Sequence, residues 1–226
     1  MAAIFCPLCE SADISLFSTD HKREYSECGR CRLVFMKPGQ RLDDAAEKER
    51  YDSHNNVESD GYKGFLSRVS APLLERLAAA GTREGWKGLD FGCGPGPVLA
   101  EMMRSVPGHQ VDLYDPYYVP DPSPLSLLGH YDYVLCTEAA EHFFQPMIEF
   151  RRMVAVLKPG GYLGVMTSFL LDSVKFSTWY YARDPTHCCF YRLDTLNYIA
   201  ATLQLTAEIV HPANAVLFRK APAVRP

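Results

Sequence analysis

The sequence predicts an α/β fold with a doubly wound, Rossmann-like and mainly parallel sheet, preceded by a small cysteine-rich unit. Three features predict this fold. Strand-like apolar segments alternate with helix-like segments beyond residue 85, as they do in a parallel sheet with crossover helices. A glycine-rich turn follows the first of these strands. Two cysteine pairs of the form CxxC lie near the start of the chain.

Composition limits the class of protein. A chain of 226 residues is long enough for one full domain and a small appendage, and its 47% hydrophobic content supports a packed core. The net charge of −4 gives no general attraction to nucleic acid or to an anionic membrane. We find no apolar run that would span a bilayer, no signal peptide and no disulfide-type cysteine spacing, so we expect a cytoplasmic protein with no membrane partner.

The cysteine pairs predict a zinc ribbon over residues 1–38. The first pair is Cys6 and Cys9, and the second is Cys28 and Cys31, with short alternating strands between and after them. Zinc prefers four thiolates in a tetrahedron, and each CxxC turn supplies two. The alternative is four unrelated buried thiols. A structural ion is expected rather than a catalytic one, because four cysteines complete the coordination shell.

The next segment, residues 39–84, is predicted to be a helical linker and a lid. A charged helix is expected over residues 42–51, and a polar, glycine-flanked lid over residues 54–64. Apolar residues at helical spacing over residues 65–80 predict a helix that covers the sheet.

The remaining residues, 85–226, alternate between strands and helices. We expect strands at residues 88–91, 110–114, 131–136 and 162–167, helices at residues 98–105, 144–156 and 193–203, and a closing hairpin of residues 207–211 and 215–219.

The glycine turn has the sequence LDFGCGPG over residues 89–96. Glycines let the backbone turn tightly and approach a ligand where a Cβ would block it. A pyrophosphate needs bare amides at a helix N-terminus, and the carboxylate of Asp90 would repel it. The same carboxylate can hold an ammonium group, or it can fix the turn through backbone hydrogen bonds, and these roles are compatible. The turn therefore predicts a ligand with a nucleoside and an amino-acid end but no phosphate.

Four segments in order carry a family resemblance: the turn at residues 89–96, the acidic strand end VDLYD at residues 111–115, CTEAAEHF at residues 136–143, and LKPGGYL at residues 157–163. Over roughly residues 85–220 the chain resembles the class I S-adenosylmethionine-dependent methyltransferases. The resemblance implies S-adenosylmethionine as cofactor. It implies cofactor contacts from Asp90, Phe91, Gly92, Cys93, Gly94, Gly96, Asp115, Pro116, Thr137 and Glu138.

Within this set, Asp115 is expected to accept hydrogen bonds from the ribose hydroxyls, with Pro116 against the adenine. The alternative for Asp115 is a turn residue before the proline. Only sixteen residues separate Asp115 from Asp132, where the family usually fits a helix and a third strand. A proline-rich segment replaces most of them, so this edge of the sheet is predicted to be shortened.

Two histidines are the predicted catalytic residues. His187 lies in the aromatic segment WYYARDPTH at residues 179–187 and is the first candidate for a general base, because its ordinary pKa suits proton removal near neutrality. The alternative is a buried histidine bonded to Asp184 or to the backbone. His142, just after the third strand of this region, is expected in the wall of the site or, alternatively, as a cap of a structural turn. His54, in the lid, is a further candidate.

The sequence leaves three functions open. The first is a methyltransferase for a small metabolite, such as a sugar-like or quinol-like compound, because the aromatic insertion favours an enclosed site. The second is an RNA or protein methyltransferase that grips its substrate through the zinc ribbon. Against this, acidic residues are interspersed among the basic ones of the ribbon. The third is a cofactor-binding subunit without catalysis.

Overall fold

The structure is a computed structural model that describes residues 4–20, 22–53, 59–81, 85–172 and 174–223. The described strands are β1 (Ile14–Thr19), β2 (Glu24–Cys28), β3 (Val34–Met36), β4 (Trp86–Phe91), β5 (His109–Tyr114), β6 (Tyr131–Thr137), β7 (Leu157–Met166), β8 (Cys189–Phe190), β9 (Leu205–His211) and β10 (Ala215–Lys220). The described α-helices are α1 (Asp44–Asp52), α2 (Asp60–Ala80), α3 (Val98–Arg104), α4 (Pro146–Val156) and α5 (Leu193–Leu203). None of the described helices has the length and apolar character that crossing a membrane requires.

The larger sheet has six strands in the order β5-β4-β6-β7-β10-β9. The first four strands are parallel, while β10 runs antiparallel to both β7 and β9. This confirms the predicted α/β architecture and its closing hairpin. Because the chain order reverses between β5-β4 and β6-β7, a crevice forms where the carboxyl ends of these strands meet, which is where open α/β sheets bind ligands.

Helices cover both faces of this sheet. On one face, α2 packs Val69, Leu73 and Leu77 against a buried cluster that includes Met103 of α3. On the other face, Phe150 of α4 belongs to a second, larger core cluster. The apolar positions of α2 recur at helical spacing, so this helix forms because it can bury one continuous stripe.

The edge of the sheet at β5 is short, as the sequence predicts. Residues 115–130, all of which are described, contain a 3₁₀ turn at Ser123–Ser126 and an isolated bridge between Asp115 and Val119, but no further strand. Strand β5 is therefore the outermost strand on this side.

A second sheet joins the cysteine-rich segment to the rest of the protein. It has four strands in the order β1-β2-β3-β8, and β3 pairs with β8 through Val34 opposite Phe190 and Phe35 opposite Cys189. The sequence predicts residues 1–38 as a separate unit, whereas this sheet is completed by a strand from far along the chain. A two-residue strand has no alternating pattern of its own, so nothing in the sequence indicates this pairing. The boundaries 1–38, 39–84 and 85–226 stay a prediction.

The predicted lid is partly helical. The side chain of Ser59 caps α2 by accepting a hydrogen bond from the Tyr62 amide at 3.2 Å, so residues 60–64 form the first turns of this helix rather than a loop. The sequence predicts a loop here because Gly61 and Gly64 give the segment a composition typical of loops. His54 and the rest of the predicted lid up to residue 58 lie outside the described residues.

Candidate active site

A cavity of about 1060 Å³ opens at the carboxyl ends of β4, β5 and β6. Nine of the ten predicted cofactor residues line it: Asp90, Phe91, Gly92, Cys93, Gly94, Asp115, Pro116, Thr137 and Glu138. Gly96 does not. It is exposed, and its carbonyl accepts a hydrogen bond from the Val98 amide at 2.8 Å where α3 begins.

The glycine turn is fixed by Asp115. One carboxylate oxygen accepts from the Gly94 amide at 2.9 Å, and the other accepts from the amides of Tyr117 and Tyr118 at 2.9 and 3.1 Å. The turn itself needs glycine, since Gly92 has φ +77° and a Cβ there would lie 2.7 Å from the Ala139 Cβ. Asp115 is thus a turn residue, which is the alternative role that the sequence left open for it. Each carboxylate oxygen has more than one lone pair, so a ligand can still be accepted.

Asp90 is a buried carboxyl group in the wall of the cavity. It is 2% exposed, and this burial raises its pKa to about 7, although the amide of Ala100 stabilises the charged form. The negative charge of Asp115 adds to the upward shift. A cation placed beside Asp90 would relieve the cost of ionising this group.

Glu138 holds a strained position directly after β6. Its φ is +48°, in the left-handed region, and its Oε1 is buried without a hydrogen-bond partner among the described residues. Burial, followed by the charge of Glu141, raises the pKa of Glu138 well above its ordinary value. Strain of this kind at the mouth of a cavity is typical of functional sites.

The two predicted catalytic histidines come together at the other end of the cavity. The rings of His142 and His187 are 4.8 Å apart in an edge-to-face arrangement. Nδ1 of His142 lies 3.1 Å from the Thr186 carbonyl oxygen, and Nδ1 of His187 lies 2.7 Å from the Tyr181 carbonyl oxygen. A carbonyl only accepts, so both rings carry their proton on Nδ1 and their lone pair on Nε2.

The bond from His187 to the backbone matches one alternative that the sequence left open. The other alternative, a bond to Asp184, is not formed through Nδ1. Asp184 instead pairs with Arg50 at 2.8 Å and accepts from the hydroxyl of Thr186 at 2.7 Å. Burial opposes ionisation of Asp184, but these two contacts outweigh it and lower its pKa. Burial also lowers the pKa of His187, which therefore favours the neutral imidazole near pH 7.

Glu141 is the residue that the sequence interpretation missed. Glu141 lies in the 3₁₀ turn Ala140–His142 with no exposed surface. Neither carboxylate oxygen has a hydrogen-bond partner among the described residues. Its Oε1 lies 3.9 Å from Nε2 of His142. The adjacent glutamate and histidine directly after a strand were the only sequence signal for this cluster.

Tyrosines from two other segments complete the walls. The ring of Tyr51 in α1 meets His142 edge-on at 5.1 Å. The hydroxyl of Tyr181 contacts Thr167 Oγ1 at 3.0 Å and accepts from the Ser168 amide at 3.2 Å. Burial, and then the charges of Glu141 and Glu138, raise the pKa of Tyr181 well above its ordinary value.

Helix α1 is held over the cavity by Glu47, which is 6% exposed. Its two carboxylate oxygens accept from the hydroxyls of Tyr51 and Tyr117 at 2.9 and 2.7 Å. Tyr117 belongs to the loop after β5, so this network fastens the helix to the loop beside the predicted adenine position.

The four paired cysteines form a second site, away from the cavity. The sulfur atoms of Cys6 and Cys31 are 3.5 Å apart, as are those of Cys9 and Cys28, and all four lie within 4.8 Å of one another. A zinc ion with four Zn–S bonds of about 2.3 Å places its sulfurs about 3.8 Å apart in a tetrahedron. The cluster therefore fits a tetrahedral metal ion.

Comparison with known proteins is consistent with this site. The sequence model of a family described as a methyltransferase domain matches residues 62–208. Among solved structures, the YcgJ protein of Bacillus subtilis is 17% identical, covers 62% of this chain and 70% of its own, and superposes with a TM-score of 0.42. An O-methyltransferase family protein of Burkholderia thailandensis is 14% identical, with coverages of 79% and 64% and a TM-score of 0.49.

A methyltransferase of Aquifex aeolicus, described as dependent on S-adenosylmethionine, is 14% identical, covers 79% of this chain and 98% of its own, and has a TM-score of 0.47. No curated protein matches the sequence significantly. The family match spans more than half of the chain and contains most of the residues that line the cavity. The chain therefore belongs to the methyltransferase domain family and is a methyltransferase, for which this family implies S-adenosylmethionine as the cofactor.

Proposed function

We propose that the protein transfers the methyl group of S-adenosylmethionine to a small molecule bound in the same cavity. The observation that supports this most is that one cavity joins the glycine turn to the histidine cluster. Its volume of about 1060 Å³ lies slightly above the usual range for small-molecule sites, about 300–1000 Å³. It therefore has room for a cofactor and for a second, smaller ligand.

The chain's own residues divide into two groups around this cavity. Asp115 would hold the ribose, with Pro116 beside the adenine. The buried carboxyl group of Asp90 and the half-buried one of Glu138 would face the ammonium end. The turn at Gly92–Gly94 would present backbone to the amino-acid part. When bound, the cofactor supplies a methyl group that is already activated for transfer, so the protein must mainly orient an acceptor and take up its proton.

The acceptor's proton is lost at the histidine cluster. With Nδ1 bonded to a backbone carbonyl, His142 and His187 would each present Nε2 as a proton acceptor. Tyr51 and Tyr181, beside the two imidazole rings, add apolar ring surface and hydroxyl groups to the walls. This composition suits a compact polar acceptor such as a sugar-like or quinol-like compound.

We further propose that the cysteine cluster holds a structural zinc ion. Four thiolates leave no open coordination position for a substrate. The edge of β3 is occupied by β8 and is therefore closed to a strand of another protein. This pairing favours a structural ribbon over one that grips RNA or protein.

The test is methyl transfer from labelled S-adenosylmethionine into fractionated cell extract by the wild-type protein and by His187→Ala. We expect label in the small-molecule fraction, lost in the variant while calorimetry shows unchanged cofactor affinity. His130→Ala is the matched control, because His130 precedes the amino end of β6, whereas the cavity lies at the carboxyl end of this strand. Label only in RNA or protein would contradict the proposal, and cofactor binding without any labelled product would favour a non-catalytic subunit.

A further inference from the structure

We propose that Glu141, His142 and His187 bind a divalent transition-metal ion, distinct from the zinc of the cysteine cluster. We also propose that the open positions of this ion bind two neighbouring oxygen atoms of the methyl acceptor. The first statement concerns this cluster alone, whereas the second rests on the proposed function.

The three residues already converge on one point. A carboxylate oxygen of Glu141 and a ring nitrogen from each histidine all lie within 4.8 Å of one another. Ligands on opposite sides of a first-row metal ion, at bonds of about 2.0–2.2 Å, are about 4.0–4.4 Å apart, and neighbouring ligands are closer. The separations of up to 4.8 Å exceed this span by at most about 0.4–0.8 Å, so small side-chain rotations would bring all three atoms onto a common centre.

Both imidazoles are oriented as metal ligands usually are. A ligating histidine typically donates its other ring N–H to a carboxylate or a backbone carbonyl, which fixes the tautomer and the plane of the ring. His142 uses the carbonyl of Thr186 in this way, and His187 uses that of Tyr181. Two separate carbonyls thus place both lone pairs on Nε2.

The independent observation is the state of Glu141. Its side chain is fully buried, and neither oxygen has a well-formed hydrogen bond among the described residues, although an interaction with the Tyr181 hydroxyl contributes to the raised pKa of that tyrosine. Asp115 and Asp184 line the same cavity, and both oxygens of each accept hydrogen bonds. A buried carboxyl group without donors is costly unless a cation compensates it. A metal ion held with the two histidines supplies that cation.

The donor set indicates the kind of ion. Two imidazole nitrogens and one carboxylate oxygen suit manganese, iron, cobalt or zinc better than calcium or magnesium, which prefer oxygen ligands. Three protein ligands leave open positions, and all three residues line the cavity, so those positions face the space for the acceptor. Two adjacent oxygens, as in a vicinal diol, a catechol or a hydroxy-carbonyl compound, can occupy them.

The chemistry follows from this arrangement. With the ion bound, coordination lowers the pKa of an acceptor hydroxyl and its proton passes to solvent. This route replaces the proton uptake by His187 that is proposed above for the metal-free cluster, because the ion would occupy the lone pair of that ring. The resulting oxygen anion attacks the methyl carbon. The C–S bond breaks, its electron pair stays on sulfur, and an O–CH₃ bond forms. The products are a methyl ether, a neutral thioether and one proton.

The experiment uses the zinc-loaded full-length protein titrated with cobalt(II), followed by absorption and by calorimetry. We expect one further equivalent of cobalt to bind with visible d–d bands but without the thiolate charge-transfer band that cobalt in the cysteine cluster would show. Glu141→Gln, His142→Ala and His187→Ala are each expected to weaken this binding at least about tenfold. His130→Ala is expected to bind like the wild type. Cofactor affinity and the metal-free unfolding midpoint of each variant show that it is folded.

Two results would overturn the metal site: no second cobalt equivalent at millimolar concentration, or unchanged binding in all three cluster variants. The metal site and the proposed function fail separately. Cobalt binding without methylation of any small molecule would support the site and contradict the acceptor class. Full methylation activity in a protein that binds no second metal ion would support the proposed function and contradict this inference.

Discussion

The replacement Asp90→Asn tests how much the buried carboxyl group of Asp90 lowers the free energy of unfolding. Burial raises the pKa of Asp90 from 3.8 to about 7. A shift of about 3 pH units, at about 1.36 kcal/mol per unit, corresponds to about 4 kcal/mol. This is the upper limit for what ionised Asp90 costs the folded protein, and Asn retains an oxygen that can accept from the Ala100 amide.

The direction of the pH dependence follows from proton linkage. Between about pH 4 and pH 7 the folded state holds a proton on Asp90 that the unfolded state has lost, so stability falls as pH rises through this range. Below pH 4 both states are protonated, and above pH 7 both are ionised. The stability gained by Asp90→Asn is therefore expected to be small near pH 4, to grow up to pH 7, and to stay constant above it.

Urea unfolding of the cofactor-free protein at pH 5, 6, 7 and 8 measures this effect. Asp112→Asn is the control, since Asp112 is an exposed carboxylate on the neighbouring strand β5. In the same samples, calorimetry should show weaker S-adenosylmethionine binding by Asp90→Asn, because the variant has no charge for the ammonium group. A stability difference that does not change with pH would refute the account of Asp90, and unchanged cofactor affinity would refute its pairing with the ammonium.

Three further predictions concern other parts of the protein. Asp115→Ala should weaken S-adenosylmethionine binding by about 2 kcal/mol in calorimetry, since it removes a charge-assisted acceptor, and unchanged affinity would refute the ribose assignment. Metal analysis should find one zinc bound to the cysteine cluster, and its chelation should increase hydrogen exchange in both β2 and β8, whereas exchange confined to residues before 38 would contradict the shared sheet. Gly164→Ala should destabilise the protein by about 1–3 kcal/mol in urea unfolding. The added Cβ would lie 2.7 Å from Leu135 Cδ2 and 2.9 Å from Val69 Cγ2. An unchanged free energy of unfolding would show that the packing of α2 on the sheet is adjustable.

Much of the fold was predictable because its signals are local. The glycine turn and the acidic end of β5 lie within short stretches of sequence, and so do the cysteine pairs. The structure places nine of the ten expected cofactor residues around one cavity. The absence of a strand between β5 and β6 was also predictable, because the number of residues available there is too small for a helix and a strand.

The remaining features depend on contacts between residues far apart in sequence. His142 and His187 were separate candidates, and only the folded chain brings their rings to 4.8 Å. Glu141 is quoted in the same sequence segment as His142, but acidic residues beside a turn are usually exposed, so its complete burial had no local signal. The pairing of β3 with β8 was equally invisible, because a strand of two residues is defined by its neighbour rather than by its own pattern.

This pairing also affects how the protein is made. Phe35 and its partner Cys189 are separated by 154 residues of chain. A ribosome that adds roughly 5–20 residues per second needs roughly 8–30 s to produce the second of these strands after the first. During that interval the outer edge of β3 has no partner, although both cysteine pairs have already been synthesised. Early zinc binding would then fold the ribbon around its metal, but the outer edge of β3 would stay open to other nascent chains until β8 is synthesised.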